Sequence, residues 1–299
     1  MAPISPSPRH AGTAEASSPL TAAFGARATV NRHHPGAAMS GVLRHKSVVK
    51  YARALGGFGI CILCWEIVRA LQLIDPRDLP SVVTIVRTAI TELADGPLLL
   101  AVMSSLAAWA PGLLLAVVIG TAVGIALALL PTLEIATRPI LEFLRPIPSV
   151  ALIPIALLTL GIGIEMQLTM IVFASVWPIV FSVKAGVEAV DPRFQETGRI
   201  FGVTGGAGIR RIIIPSVLPA LSTGIRTASA IALVLTITVE MLTGRPGIGR
   251  YIDEARLNGL VAQMWAAIFM TGVVGYLVNA VMLAAERRLL PWSADNRDN

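Results

Sequence analysis

The sequence predicts an all-α membrane protein of six transmembrane helices, with a polar hairpin projecting between the fourth and the fifth. Three observations lead there. Of 299 residues, 55% are hydrophobic and 14% charged, and mean hydropathy is +0.73, a balance too apolar for a water-covered surface. Six stretches, residues 55–74, 104–130, 139–160, 166–186, 217–241 and 262–285, are each long and apolar enough to cross the hydrocarbon core as a helix. Lysine and arginine gather on alternate connections, which gives the spans an orientation.

Taken in order, residues 1–40 are Ala, Ser, Pro and Arg with one acid, Glu15, and no apolar run long enough for a signal-peptide core. Such a tail is expected to be disordered. It passes for a transit peptide by composition, but Met39, ahead of SGVLRHKSVVKYARAL, is the simpler start and makes the residues before it dispensable. Residues 41–54 read as a basic membrane-proximal segment, 55–292 as the transmembrane domain and 293–299 as a C-terminal tail. Three groups of cations face the cytoplasm by the positive-inside rule: Arg44, Lys46, Lys50 and Arg53; Lys184, Arg193, Arg199, Arg210 and Arg211; and Arg287 with Arg288. Both termini are therefore expected inside. The fifth-to-sixth connection, with Arg245, Arg250 and Arg256 beside Asp253 and Glu254, is the departure from that rule.

Composition narrows the function. The formal charge of +6 is absorbed in orienting the spans and needs no nucleic-acid partner. Cys61 and Cys64 sit in the apolar run GFGICILCW and read as small membrane-facing residues, not a redox pair. All four histidines lie in the tail, at 10, 33, 34 and 45, so the membrane part has no imidazole for a metal or for catalysis. No zinc-protease or nucleophile-elbow motif is present, and a cofactor-free, non-enzymatic chain follows.

Between the first two spans, Val82, Val83, Val86, Ile90 and Leu93 recur at helical spacing and predict an amphipathic helix on the outer surface. The third span contains Pro139, Pro146, Pro148 and Pro154. So many prolines are tolerated only where protein or a water-filled cavity meets the freed carbonyls, so this helix is expected to be central. Arg138, Glu142 and Arg145 fall on one of its faces, as an anchoring ion cluster or a gate.

The connection QETGRIFGVTGGAGIRRIIIPSVLP, Gln195 to Pro219, holds five glycines and three arginines between apolar runs. Asp191 and Pro192 open a short helix, Gly202 permits a left-handed bend, Thr204 caps a second short helix and Pro215 stops it. No phosphate-loop lysine and hydroxyl follow the glycines, so the chain is not itself a nucleotide binder. From Glu196 the spacing is E-T-G-x3-G-x9-I-x-I-P, carried by Glu196, Thr197, Gly198, Gly202, Ile212, Ile214 and Pro215. It closely resembles the E-A-A-x3-G-x9-I-x-L-P signature of permease subunits of bacterial binding-protein-dependent ABC importers, of the type I fold.

The resemblance covers about residues 55–292. LRPIPSVALIPIALLTLGIG, AGVEAVDPRFQETGR, PSVLPALSTGIR and ERRLLPW look like the branch importing nitrate, taurine and alkanesulfonates, with thiamine-precursor and riboflavin permeases as relatives. It implies a multi-pass protein of the bacterial inner membrane whose 191–215 hairpin docks on a cytoplasmic ATPase dimer. ATP and magnesium would be bound by that partner. An extracytoplasmic binding protein and a second permease copy, most simply an identical one, are the other partners. A secondary transporter would need midplane coupling-ion acids and internal repeats, and a scaffold would need no such hairpin.

Within the spans, Glu240 is the sharpest ionisable candidate, either in the pathway or structurally paired with Arg245, Arg250 or backbone amides. Thr236 and Thr238 on the same run could line a route or bond to their own helix. Arg145, Pro146 and Pro148 are candidates for a gate, and Glu165 for contact with a binding protein. Glu66 and Arg69 are spaced to pair.

Overall fold

The computed structural model describes residues 56–75, 77–191, 193, 200 and 205–291. Two compact units divide the chain, residues 1–59 and 60–299; of the first, residues 56–59 are described and are helical. Among its described residues the second unit is built of helices. These are α1 (60–70), α2 (Val82–Ala94), α3 (Leu98–Leu129), α4 (Pro131–Leu144), a 3-10 turn (Ser149–Leu152), α5 (Ile153–Leu160) and α6 (Ile164–Glu188). A helical turn (Gly205–Gly208) and a π-helical turn (Ile209–Ile213) lead into α7 (Ile214–Thr243), which is followed by α8 (Ile248–Leu257) and α9 (Val261–Leu289).

Four of these helices, α3, α6, α7 and α9, are long and apolar enough to cross a membrane. They contain the runs expected to span at 166–186, 217–241 and 262–285, and all but the last residue of 104–130. The third expected span departs from its reading as one central helix: α4 and the stretch from the 3-10 turn through α5 are bent by 85°. Pro146 and Pro148 explain the break, since neither has an N–H to continue the ladder and each biases its predecessor away from helix. Pro148 is extended, with ψ 108°, and α4 has no buried residue, so it is peripheral. Counted as one span, the bent pair is a fifth. The first expected run is helical over 60–70 in this unit, roughly 17 Å at 1.5 Å per residue, about half a hydrocarbon core.

The helix α2 forms where expected, but its apolar stripe is shifted in phase. Ile85 and Ala89 are buried and Leu93 packs on the core, whereas Val83 and Ile90 face outward. Ser81 caps it by accepting from the N–H of Thr84 at 3.1 Å, and Glu66 accepts from the N–H of Val82 at 2.9 Å. The same Glu66 pairs with Arg69 at 2.7 Å, the pairing read from their spacing. Trp65 stacks edge-on against Trp265, ring centres 4.9 Å apart, tying α1 to the start of α9.

Inside the bundle, α3 lies against α6 along glycines. A methyl group on Gly112 would fall 2.6 Å from Ile171, and one on Gly120 or Gly124 would fall 2.9 Å from Ile179 or Val183. Where lipid competes equally for apolar surface, small residues that let backbones approach are what join helices. The third member of this central group, α7, touches α3, α6, α8 and α9. It ends at Gly244, whose φ of +67° is left-handed, and the chain there turns back to lay α8 against α7.

Candidate functional site

Two regions hold the polar chemistry: the connection entering α7 and a buried cluster at the other end of that helix. Of the connection, Glu196, Thr197, Gly198 and Gly202 lie outside the described residues. Asp191 accepts from the N–H of Arg193 at 2.9 Å. Ile212 is in the π-helical turn with Arg210 and Arg211, both exposed. Ile213 is buried, Ile214 is exposed, and Pro215 occupies the first turn of α7, where the missing N–H costs no hydrogen bond. The π-helical turn therefore runs directly into a helix of 30 residues.

Near the far end of α7, Glu240 is fully buried. Ser105 of α3 donates to its Oε2 at 2.7 Å, the N–H of Gly249 in α8 donates to the same oxygen at 3.1 Å, and Gln167 of α6 donates to Oε1 at 3.3 Å. Ser105 in turn accepts from the N–H of Ile248 at 2.9 Å, and Arg245 donates to Gln167 Oε1 at 2.8 Å. One carboxylate thus joins four helices, and together with its serine partner it satisfies two N-terminal N–H groups of α8, which is how an acid is kept in a membrane interior. The two glycines of PGIG make room: a Cβ on Gly247 would collide with the Glu240 carboxylate, and one on Gly249 with the carbonyl of Ile237. Arg250 does not reach this cluster and pairs with Glu254 at 2.6 Å.

On its outer face α8 is tied to the neighbouring helices. Tyr251 donates to Glu92 of α2 at 2.9 Å and Gln263 of α9 donates to the same carboxylate at 2.6 Å. Burial and the Glu92 carboxylate raise the Tyr251 phenol above its ordinary pKa. Glu92, Ser104, Arg250, Tyr251 and Asn258 line an open cavity of about 490 Å³ at this end.

The gate and pathway candidates lie at separate places in the fold. Thr236 is buried and Thr238 half-buried, and each donates to its own helix, at Ala232 and Val234, both at 2.8 Å. Arg145 lies 4.6 Å over the ring of Phe181 in α6, about 21 Å along that helix from Gln167. Pro146 and Pro148 are exposed beside it at the bend, and Glu165 is exposed in the first turn of α6. Arg138 pairs with Glu142 at 2.9 Å but not with Arg145. Sequence reasoning passed over Ser105 and Gln167, and it read Lys184 as an orienting cation without its carboxylate partners, Glu134 at 2.9 Å and Glu188 at 2.6 Å. A lone serine or glutamine in an apolar run was the available signal. Among the described residues no group of three or more His, Cys, Asp or Glu side chains is placed to hold a metal.

Long apolar helices packed around a buried polar centre define a multi-pass membrane protein. Residues 112–291 match the family described as binding-protein-dependent transport system inner membrane component, and the chain belongs to it. It is accordingly a permease of an ABC importer, a transport component and not an enzyme. Among its relatives, the aliphatic sulfonates transport permease protein SsuC of Bacillus subtilis is 28% identical over 233 residues, 78% of this chain and 84% of SsuC. The taurine transport system permease protein TauC of Escherichia coli is 27% identical over 247 residues, 81% of this chain and 90% of TauC. Among solved structures, a chain of the inward-facing MetNI methionine ABC transporter is similar in fold, with a TM-score of 0.57 and 19% identity, covering 64% of this chain and 95% of that one.

Proposed function

We propose that this chain forms the translocation pathway of an importer for small sulfonates, taurine among them. It would act as one of two copies that rock together when a pair of cytoplasmic ATPases closes on ATP and magnesium. In this reading the 191–215 connection is the coupling hairpin and docks through Glu196, Thr197, Gly198 and Gly202. The chain then has six spans with both termini in the cytoplasm, and the end carrying Glu165 and α8 faces the extracytoplasmic binding protein.

The substrate class rests on the names of SsuC and TauC. The coupling mechanism rests on one observation, the continuity of α7. Its 30 residues make a rod of about 45 Å, entered at one end by the π-helical turn and fastened near the other by Glu240. In this reading a displacement of the hairpin is passed through the π-helical turn to the helix and what it carries. That is the bistable, rigid-body element a remote nucleotide can bias.

Deletion of the gene in its own host, with uptake of labelled taurine and ethanesulfonate as the readout, tests this. Loss of both, restored by the gene on a plasmid, is the expected result. Sulfonate uptake that persists unchanged would overturn the substrate assignment.

A further inference from the structure

Arg226 stands on α7, about 18 Å along the helix from its start, inside a span where an arginine is costly. By comparison, Lys184 of α6 and Arg138 of α4 bond to carboxylates, and Arg145 lies against a ring. Among the described residues, the one contact recorded for the Arg226 guanidinium is Nη1 to Glu286 Oε2 at 3.9 Å. That distance is an ion contact but too long for a hydrogen bond.

Two cavities along the seam between α7 and α9 share Arg226. One, about 290 Å³, is lined by Ser229, Thr271 and Asn279 with Leu233 and Ile237. The other, about 410 Å³, runs between Leu218, Leu221, Ile225, Met282 and Glu286 and is mostly apolar. The Arg226 side chain, 37% exposed, thus borders two mostly apolar cavities, and among the described residues its guanidinium makes no contact at hydrogen-bond distance.

We propose that Arg226 is an anion-contact residue of the pathway, receiving the sulfonate group of the solute as it moves along the α7–α9 seam. The proposal rests on the importer reading above and adds the residue that meets the charge. A guanidinium presents parallel N–H groups that match two oxygens of an oxyanion, which a point-charge ammonium does not. Glu286, in the last turn of α9, holds the side chain between passages. Its contact is loose enough for an anion to displace, and its charge limits how tightly the anion is kept. Glu240 cannot play this part: it is negative, fully buried and occupied by three donors.

Two measurements test this. In the full complex with Cys61 and Cys64 replaced by serine, Asn279→Cys is labelled with an anionic (sulfonatoethyl) and a cationic (trimethylammonioethyl) methanethiosulfonate. The expected result is that the anionic reagent is favoured and that adding Arg226→Gln lowers the anionic-to-cationic rate ratio by roughly fivefold or more. A thiol that reacts with neither reagent, or a ratio unmoved by Arg226→Gln, would overturn the proposal.

The second measurement is taurine uptake per assembled complex, expected to fall at least tenfold in Arg226→Gln and less in Arg226→Lys. The exchanged pair Arg226→Glu with Glu286→Arg should assemble without recovering uptake; recovery to wild-type uptake would mark Arg226 as a structural partner only and defeat the proposal. A wild-type complex that moves no sulfonate defeats the substrate assignment alone, and the labelling ratio still decides Arg226.

Discussion

Ser105 and Glu240, 135 residues apart in the chain, meet in a buried hydrogen bond of 2.7 Å, and the same serine oxygen accepts the N–H of Ile248. The bond fastens α3 to α7 and seats the start of α8 in one step. Because every group around it is buried, the cluster has no water to fall back on when a partner is removed, and the loss of one partner exposes the full cost of the other.

Ser105→Ala should therefore lower the stability of the detergent-solubilised protein by about 1–3 kcal/mol. Glu240→Gln should cost at least as much, since its amide presents N–H to a site built of three donors. The two effects should be non-additive, because both remove one bond. Thermal melting followed by size-exclusion chromatography measures this, with uptake normalised to folded protein as the control. Normal melting of Glu240→Gln with uptake abolished would reassign Glu240 to the pathway.

The glycines of the α3–α6 seam make a steric prediction. Gly120→Leu places its Cβ 2.9 Å from Ile179 and 3.1 Å from the carbonyl of Val176, and the helices must separate. Little folded protein is expected. Gly272→Ala, with nothing within 4 Å of the new methyl group, should fold as wild type and controls for helix propensity. Equal yields of the two variants would contradict close packing at this seam.

Tyr251 carries a pH dependence. Its phenol is raised in the folded protein by burial and by Glu92, so above an unfolded value of about 10 the unfolded chain releases a proton that the folded one keeps. Stability is then present below that pH and is lost as pH rises toward the folded value. Melting temperature from pH 9 to 11 should decline more steeply in wild type than in Tyr251→Phe. Parallel curves would mean that the phenol is not held by Glu92 in solution.

Much of this was legible in the sequence because a bilayer makes hydropathy decisive: the runs at 104–130, 166–186, 217–241 and 262–285 match long helices to within a residue at their ends or fall inside them. The bend at Arg145 to Pro148 was misread as a feature of one central helix. Proline content says that a ladder is interrupted, and it leaves open whether neighbours hold the two halves in line. The phase of α2 was misassigned because Val83 and Ile90 are as apolar as Ile85 and Ala89, so composition alone does not select the packed face. Glu240 stood out as an acid in an apolar run. Its partners Ser105 and Gln167 lie 135 and 73 residues away, and only the packing of three helices joins them.

Coupling through the 191–215 connection is the centre of the functional reading, and substrate-stimulated ATP hydrolysis by the reconstituted complex tests it most directly. Gly202→Val, which puts a branched side chain where a left-handed bend is expected at a cost of roughly 1–2 kcal/mol, and Glu196→Lys, which reverses a charge, are each compared with wild type and with Val86→Asp in α2. Both hairpin variants should insert and fold, yet lose ATPase association or the stimulation of hydrolysis by loaded binding protein, while Val86→Asp retains ATPase association. Wild-type association and wild-type stimulation in both hairpin variants would contradict the assignment of this connection as the coupling element.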